Sequence, residues 1–216
     1  MIKKINATLS EKLILIFLLA LAIFAFSFTV LIKNKCLFIK NFDPQKINFD
    51  KPKNIVVLNV ECGNVIIELY PELSPKAVDR FITLIKSNSY DDVAFHRVIK
   101  DKLIQAGDLE FGKKNKLNYG KIGTGKSGLG TISSEIDAEF DYKKGSVGLA
   151  RNLKYNTEDS QFFIILDDEP LFEGEYTPIG KVIYGIKILE KIKYSHRSEY
   201  VLRPDFINTI RMYGIN

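Results

Sequence analysis

The stretch Phe95-His96-Arg97-Val98-Ile99, followed by Leu103-Ile104-Gln105, decides how this chain reads. Each run is apolar, a few residues long and closed by Lys, Asp or Gly, the pattern of a short buried strand. The same pattern recurs on both sides. Upstream, Asn54–Val60 is rich in β-branched residues, and Val65–Leu69 follows across Gly63-Asn64, which predicts a hairpin. Downstream, residues 146–150, 161–166 and 179–183 repeat it, and Phe206–Tyr213 alternates well enough for a last strand. Two helices are expected among them. Ser74 suits an N-cap and Pro75 a first helical position, with Ala77, Val78, Phe81, Ile82 and Ile85 at helical spacing; residues 186–192 (IKILEKI) suit a second helix. Many short strands with two helices predict a mainly β fold, a closed antiparallel barrel, because closure removes exposed strand edges.

The N-terminal part obeys different rules. Residues 13–32, LILIFLLALAIFAFSFTVLI, contain no charge and show no polar face at helical spacing. As a helix at about 1.5 Å per residue they span roughly 30 Å, the thickness of a hydrocarbon core. Lys3, Lys4 and Lys12 precede them, as in a signal peptide or signal anchor. The apolar run continues past the poor cleavage candidate Ala25-Phe26-Ser27, so an uncleaved transmembrane anchor is expected. Lysines stand on both sides (Lys33, Lys35, Lys40 and Lys46 follow), so charge does not fix orientation. The short tail favours an inside N-terminus, with the remainder extracytoplasmic at a bacterial inner membrane, in the periplasm. The expected organisation is a basic tail (1–12), an anchor (13–32), a tether (33–52) and one soluble domain (53–216).

Composition sets outer limits. The 216 residues are 46% hydrophobic and 26% charged, the proportions of an ordinary globular protein, which excludes a wholly disordered chain or a collagen-like repeat. A net charge of +5, spread along the chain, gives no argument for nucleic acid, and none is expected as partner. Two cysteines, Cys36 and Cys62, are too few for a disulfide framework or a Cys-rich zinc site; with only His96 and His196, no metal and no cofactor is expected.

One motif misleads. Residues 120–127, GKIGTGKS, match GxxxxGK[ST] letter for letter, and Phe162–Asp167 resembles a Walker B strand. A phosphate-binding loop needs a buried strand before it and a helix after it. Here residues 111–119 (FGKKNKLNY) are too polar for that strand, and Gly128-Leu129-Gly130 opposes the helix. A glycine-rich surface loop is expected, and no nucleotide.

The informative constellation is wider. It comprises Phe95–Ile99 with Gln105, then Leu149-Ala150-Arg151, Ser160-Gln161-Phe162-Phe163-Ile164, and Gly174-Glu175-Tyr176-Thr177-Pro178-Ile179-Gly180-Lys181-Val182. In order and spacing it closely resembles the cyclophilin family of peptidyl-prolyl isomerases, from about Asn54 to Tyr213. The resemblance implies an eight-stranded barrel capped by two helices, with a proline groove on its outside and proline-containing polypeptides as partners. It implies Arg97 as the catalytic donor and Gln105 as the group holding the substrate backbone. Ala150 and Arg151 would meet the peptide through their backbone and Gln161 would line the groove. Phe163 would floor the proline pocket, beside Leu103, with Phe172 as a wall, Tyr176 as a ring with a polar tip, and Leu171 at the rim. His96 reads as a packed structural histidine.

The chemistry suits those residue types. Rotation about a peptide C–N bond meets a barrier of about 18–20 kcal/mol. No bond breaks, so neither nucleophile nor metal is required. In the twisted amide the nitrogen lone pair is free to accept a hydrogen bond, and a guanidinium offers fixed donors. Two departures from the family pattern stand out: Lys102-Leu103 replaces the usual Phe-Met pair, and Leu171 replaces a frequent Trp that matters for cyclosporin. The expected function is therefore an isomerase assisting the folding of exported proteins; the alternative is a cyclophilin-shaped peptide-binding or chaperone module with weak catalysis.

Overall fold

The computed structural model describes residues 8–214; Lys3 and Lys4 of the expected basic tail lie outside the described residues. The chain divides into two compact units, residues 1–38 and 39–216.

The first unit holds helix α1, Leu9–Lys33. A capping box starts it: Thr8 Oγ1 accepts from the Glu11 N–H, and the Thr8 N–H donates to the Glu11 carboxylate at 2.6 Å. Its stretch Leu9–Leu31 is long and apolar enough to cross a membrane, a property shared with signal sequences, and its side chains are exposed.

The second unit is an eight-stranded antiparallel sheet, curled on itself. Its strands are β1 (Ile55–Val60), β2 (Gly63–Leu69), β3 (Arg97–Ile99), β4 (Leu103–Ala106), β5 (Ser146–Leu149), β6 (Phe162–Ile165), β7 (Pro178–Tyr184) and β8 (Ile207–Met212). They pair in the order β3-β4-β6-β5-β7-β2-β1-β8. The expected closed barrel is corrected here: β3 and β8 end the sheet and share no ladder. Isolated bridges Ala94–Phe206 and Arg97–Tyr200 are what join the two edges. Residues 199–201 pair beside β3, but Arg203 at φ 66° and Pro204, which has no N–H to give, interrupt the run between them and β8.

Helix α2, Pro75–Lys86, packs Ala77, Val78, Phe81, Leu84 and Ile85 on the sheet's concave face. There Phe81, Tyr90 and Phe162 meet ring to ring at 5.2–5.5 Å. Ser74 holds the N-cap position without capping. Its hydroxyl donates to the Pro178 carbonyl, while the Glu135 carboxylate accepts from the Lys76 and Ala77 N–H groups. The expected helix over 186–192 reduces to one turn, α3 (Ile186–Leu189), entered through Gly185 at φ 88°.

Part of the expected tether belongs to this unit. Asn41 accepts from the Asn64 N–H, the Phe49 ring meets Tyr213 edge-on at 4.8 Å, and the Tyr213 hydroxyl donates to the Ile47 carbonyl. Residues 41–49 thus lie along the β1–β2 hairpin and the end of β8.

Candidate active site

Strand register builds the site. Arg97 pairs with Gln105 across β3–β4, Gln105 with Phe163 across β4–β6, and Phe163 with Gly148 across β6–β5. Directly opposed residues project to one face, so these four stand in a single row on the outside of the sheet. Two residues further along, Ile99, Leu103 and Ile165 form a parallel row on the same face. The alternate positions, Val98, Ile104, Phe162 and Val147, turn inward to the core. A single-residue step along the strand separates the site from the core, which is why Phe162 and Phe163 have different neighbours.

The apolar half of the face is a notch. Leu103, Tyr142, Phe163 and Ile165 are buried together, with Phe140, Ala150, Phe172 and Tyr176 packed at their edges. Phe163 meets Phe172 and Tyr176 edge-on, each at 5.2 Å, and Phe172 meets Tyr176 at 4.5 Å. Tyr142 lies beneath them and donates its hydroxyl hydrogen to the Tyr176 carbonyl; burial holds its ionisation well above the usual tyrosine range. Gly148 supplies the remaining room. A Cβ there would stand 2.5 Å from Phe163 Cζ and 2.9 Å from the Tyr142 hydroxyl.

The polar half is a relay of hydrogen bonds running outward from Arg97, to Glu199 on one side and through Gln105 on the other. The Arg97 Nε–H donates to Glu199 Oε2 (2.8 Å) and Nη1 to Gln105 Oε1 (3.1 Å). Gln105 Nε2 donates to Gln161 Oε1 (2.9 Å), and Gln161 Nε2 donates to the carbonyls of Gly123 and Gly125 (3.0 Å each). Each member polarises the next in the same sense.

The relay ends on the GKIGTGKS loop, and the loop's geometry explains its glycines. The buried Asp108 carboxylate accepts from the N–H groups of Glu110 and Phe111 through Oδ1 and of Gly123 and Gly125 through Oδ2. Amides that would cradle a phosphate in a nucleotide-binding loop thus hold an internal carboxylate. Gly123 adopts φ 91°, and a Cβ there would press on the Tyr200 ring at 3.1 Å. Asp159 takes Ser127 and Arg80 in the same manner.

A cleft of about 280 Å³ opens beside the notch. Gln105, Ala150, Arg151 and Gln161 line it together with Gly123 and Lys126, whereas Phe163, Phe172 and Tyr176 do not. Ala150 is shared by cleft and notch.

The remaining expected positions fall around this centre. The Arg151 guanidinium is sandwiched between Tyr155 (4.2 Å) and Tyr176 (4.9 Å) and paired with Glu175, so its side chain braces the wall. Leu171 is 82% exposed at the rim. Lys102 turns outward to Glu169 at 3.4 Å, while Leu103 fills the notch. His96 is buried, neither ring nitrogen has a hydrogen-bond partner among the described residues, and burial lowers its pKa from 6.5 to about 4. Sequence reasoning missed Tyr142, Asp108 and Glu199. Tyr142 stands between Asp141 and Lys143 with no apolar run around it, and Glu199 lies 102 positions from the arginine it meets.

The outward row of guanidinium, glutamine and aromatic ring, on a curled eight-stranded antiparallel sheet, defines a cyclophilin-type domain. The chain belongs to that family, matching cyclophilin type peptidyl-prolyl cis-trans isomerase/CLD over residues 55–212, and is a peptidyl-prolyl cis-trans isomerase by family. It is 40% identical over 159 residues to a probable peptidyl-prolyl cis-trans isomerase of Brucella suis biovar 1, covering 72% of this chain and 81% of the relative. It is 35% identical over 154 residues to peptidyl-prolyl cis-trans isomerase-like 3 of Gallus gallus, covering 69% and 88%. Among solved structures it is similar to a Cryptosporidium parvum cyclophilin type isomerase crystallised in the presence of the dipeptide Ala-Pro. That match has TM-score 0.64 and 28% identity, covering 74% of this chain and 99% of the other. A Hirschia baltica cyclophilin, at 19% identity and TM-score 0.63, shares the fold.

Proposed function

We propose that this chain interconverts the cis and trans forms of X-Pro bonds in segments of unfolded, exported polypeptides. The observation that carries the reading is the row Arg97-Gln105-Phe163-Gly148, which sets a tethered guanidinium at the edge of an aromatic notch. The proline ring sits over Phe163, walled by Leu103, Phe172 and Tyr176. Gln105 and the backbone of Ala150 and Arg151 hold the flanking chain, whose continuation lies in the cleft beside Gln161. The two isomers differ by only about 1 kcal/mol, so the reaction needs no energy source and the catalyst acts on the barrier alone. As the bond twists, the prolyl nitrogen pyramidalises and its lone pair accepts from Arg97. That donor is held before the reaction begins, so little reorganisation opposes it.

α1 anchors the domain in a membrane, with the domain on the extracytoplasmic side. Support comes from the apolar stretch Leu9–Leu31, the preceding lysines and the bacterial origin of the Brucella relatives. Protease protection in spheroplasts reads the orientation: digestion of the domain from outside is expected, and full protection overturns it.

The catalytic reading is tested on the full chain in nanodiscs by NMR exchange spectroscopy of an X-Pro peptide. Arg97→Ala is expected to slow catalysed exchange roughly 10²-fold, the usual effect of losing one preorganised donor. Equal rates for both proteins overturn the role of Arg97. A binding module with weak catalysis is the second reading, favoured by Lys102, which brings a cation to a rim where the family usually carries an aromatic. Peptide binding without accelerated exchange by the unaltered chain would establish it.

A further inference from the structure

We infer that Glu199 is the positioning residue of Arg97, a role that rests on the catalytic reading above and adds to it. The segment around Glu199 is fixed to the edge of the sheet by its backbone. The Val98 N–H donates to the Glu199 carbonyl (2.7 Å), the Val201 N–H donates to the His96 carbonyl (3.0 Å), and Arg97 bridges to Tyr200. Glu199 is therefore placed beside Arg97 by main-chain geometry, before its side chain makes any contact.

A guanidinium has five N–H donors in one rigid plane. Glu199 holds the Nε–H and Gln105 holds one Nη1–H, from two different directions. Two anchors fix a plane where one leaves a hinge. Nη2 makes no hydrogen bond among the described residues and is the amine left for the twisted amide. With Gln105 alone, a long side chain that is 30% exposed would rotate about the remaining contact and spread Nη2 over many directions.

The pair does little else. Glu199 is half exposed, so its attraction for Arg97 is screened by water and contributes little to folding. Its removal should thus affect turnover without affecting the fold, which separates positioning from a structural role. Glu199 makes no part of the notch or cleft walls, so peptide affinity should also persist.

The test compares the unaltered full chain with Glu199→Ala, Glu199→Gln, Arg97→Ala and the Arg97→Ala/Glu199→Ala double variant. Exchange rate at saturating X-Pro peptide, peptide Kd and thermal midpoint are measured for each. Glu199→Ala is expected to slow saturated exchange roughly three- to tenfold at unchanged Kd and thermal midpoint. Glu199→Gln, which keeps an acceptor for Nε–H, is expected to recover most of the rate. The double variant should match Arg97→Ala alone, because Glu199 acts only through the guanidinium. Unchanged rate in Glu199→Ala with a large loss in Arg97→Ala overturns the positioning role and leaves the catalytic reading intact. A further loss on adding Glu199→Ala to Arg97→Ala also overturns it. No loss in Arg97→Ala removes both the catalytic reading and the positioning role.

Discussion

The two halves of the outer face are made by different physics although they share one row of strand partners. The notch around Phe163 is held by contact between apolar surfaces, which is non-directional and tolerates approximate placement. The relay from Glu199 to Gly123 and Gly125 is held by hydrogen bonds, which weaken steeply with misalignment. The notch is therefore part of the fold itself, and the relay a device laid on it. Substitutions in the first should be felt as stability, and in the second as rate.

Phe163→Ala is the strongest attack on that division. It removes a buried ring that touches Tyr142, Phe172 and Tyr176, leaving a cavity that the strand cannot close. A loss of about 3–5 kcal/mol in denaturant unfolding is expected. Arg97→Ala, by contrast, should stay within about 0.5 kcal/mol of the unaltered chain, as surface substitutions do. Similar stability losses in the two variants would break the comparison.

The sequence carried the notch better than the relay for the same reason. Short apolar runs at 94–99, 103–105, 146–150, 161–166 and 179–183 all coincide with strands β3 to β7, because burial is written locally as pattern. The motif resemblance groups Arg97, Gln105, Gln161 and Phe163; strand register brings Arg97, Gln105 and Phe163 to one face, and a hydrogen bond from Gln105 adds Gln161. Glu199 was illegible because nothing near it signals a partner 102 positions away. Closure fails at Arg203, which takes a left-handed φ, and at Pro204, which has no N–H, features that the strand pattern does not encode. The expected capping by Ser74 fails as well. Its position was right, but a carboxylate from Glu135 satisfies the helix amides and frees the hydroxyl for Pro178.

Acid should separate the halves as well. The notch contains no group that titrates between pH 4 and 7. Behind the relay, His96 is buried and neutral, its pKa lowered from 6.5 to about 4. The unfolded chain binds a proton near 6.5 that the folded chain refuses until about 4, so the stabilising contribution is complete above pH 6.5 and is lost as pH falls towards 4. The full effect is on the order of 3 kcal/mol. Carboxylates also respond to acid, so the measurement is the difference between the unaltered chain and His96→Gln in urea unfolding at pH 7 and pH 4.5. The unaltered chain should lose more. Parallel losses would mean that His96 is protonated in the folded state with little penalty.

The smallest expected effect probes the end of the row farthest from the relay. Gly148 ends the row that Arg97 begins, and it lies under the Phe163 ring. Gly148→Ala places a methyl carbon 2.5 Å from Phe163 Cζ, so the ring tip must move. Overpacking of this kind costs about 1–3 kcal/mol, which differential scanning calorimetry resolves. The displaced ring can move only outward, towards Phe172 and Tyr176, so the floor of the notch should rise and X-Pro peptide affinity should fall with stability. The relay, anchored from the far side by Glu199 and the loop carbonyls, should keep its arrangement, leaving saturated exchange near that of the unaltered chain. A variant that binds as before but turns over slowly would show the halves to be coupled through β6, and the division between fold and device would have to be abandoned.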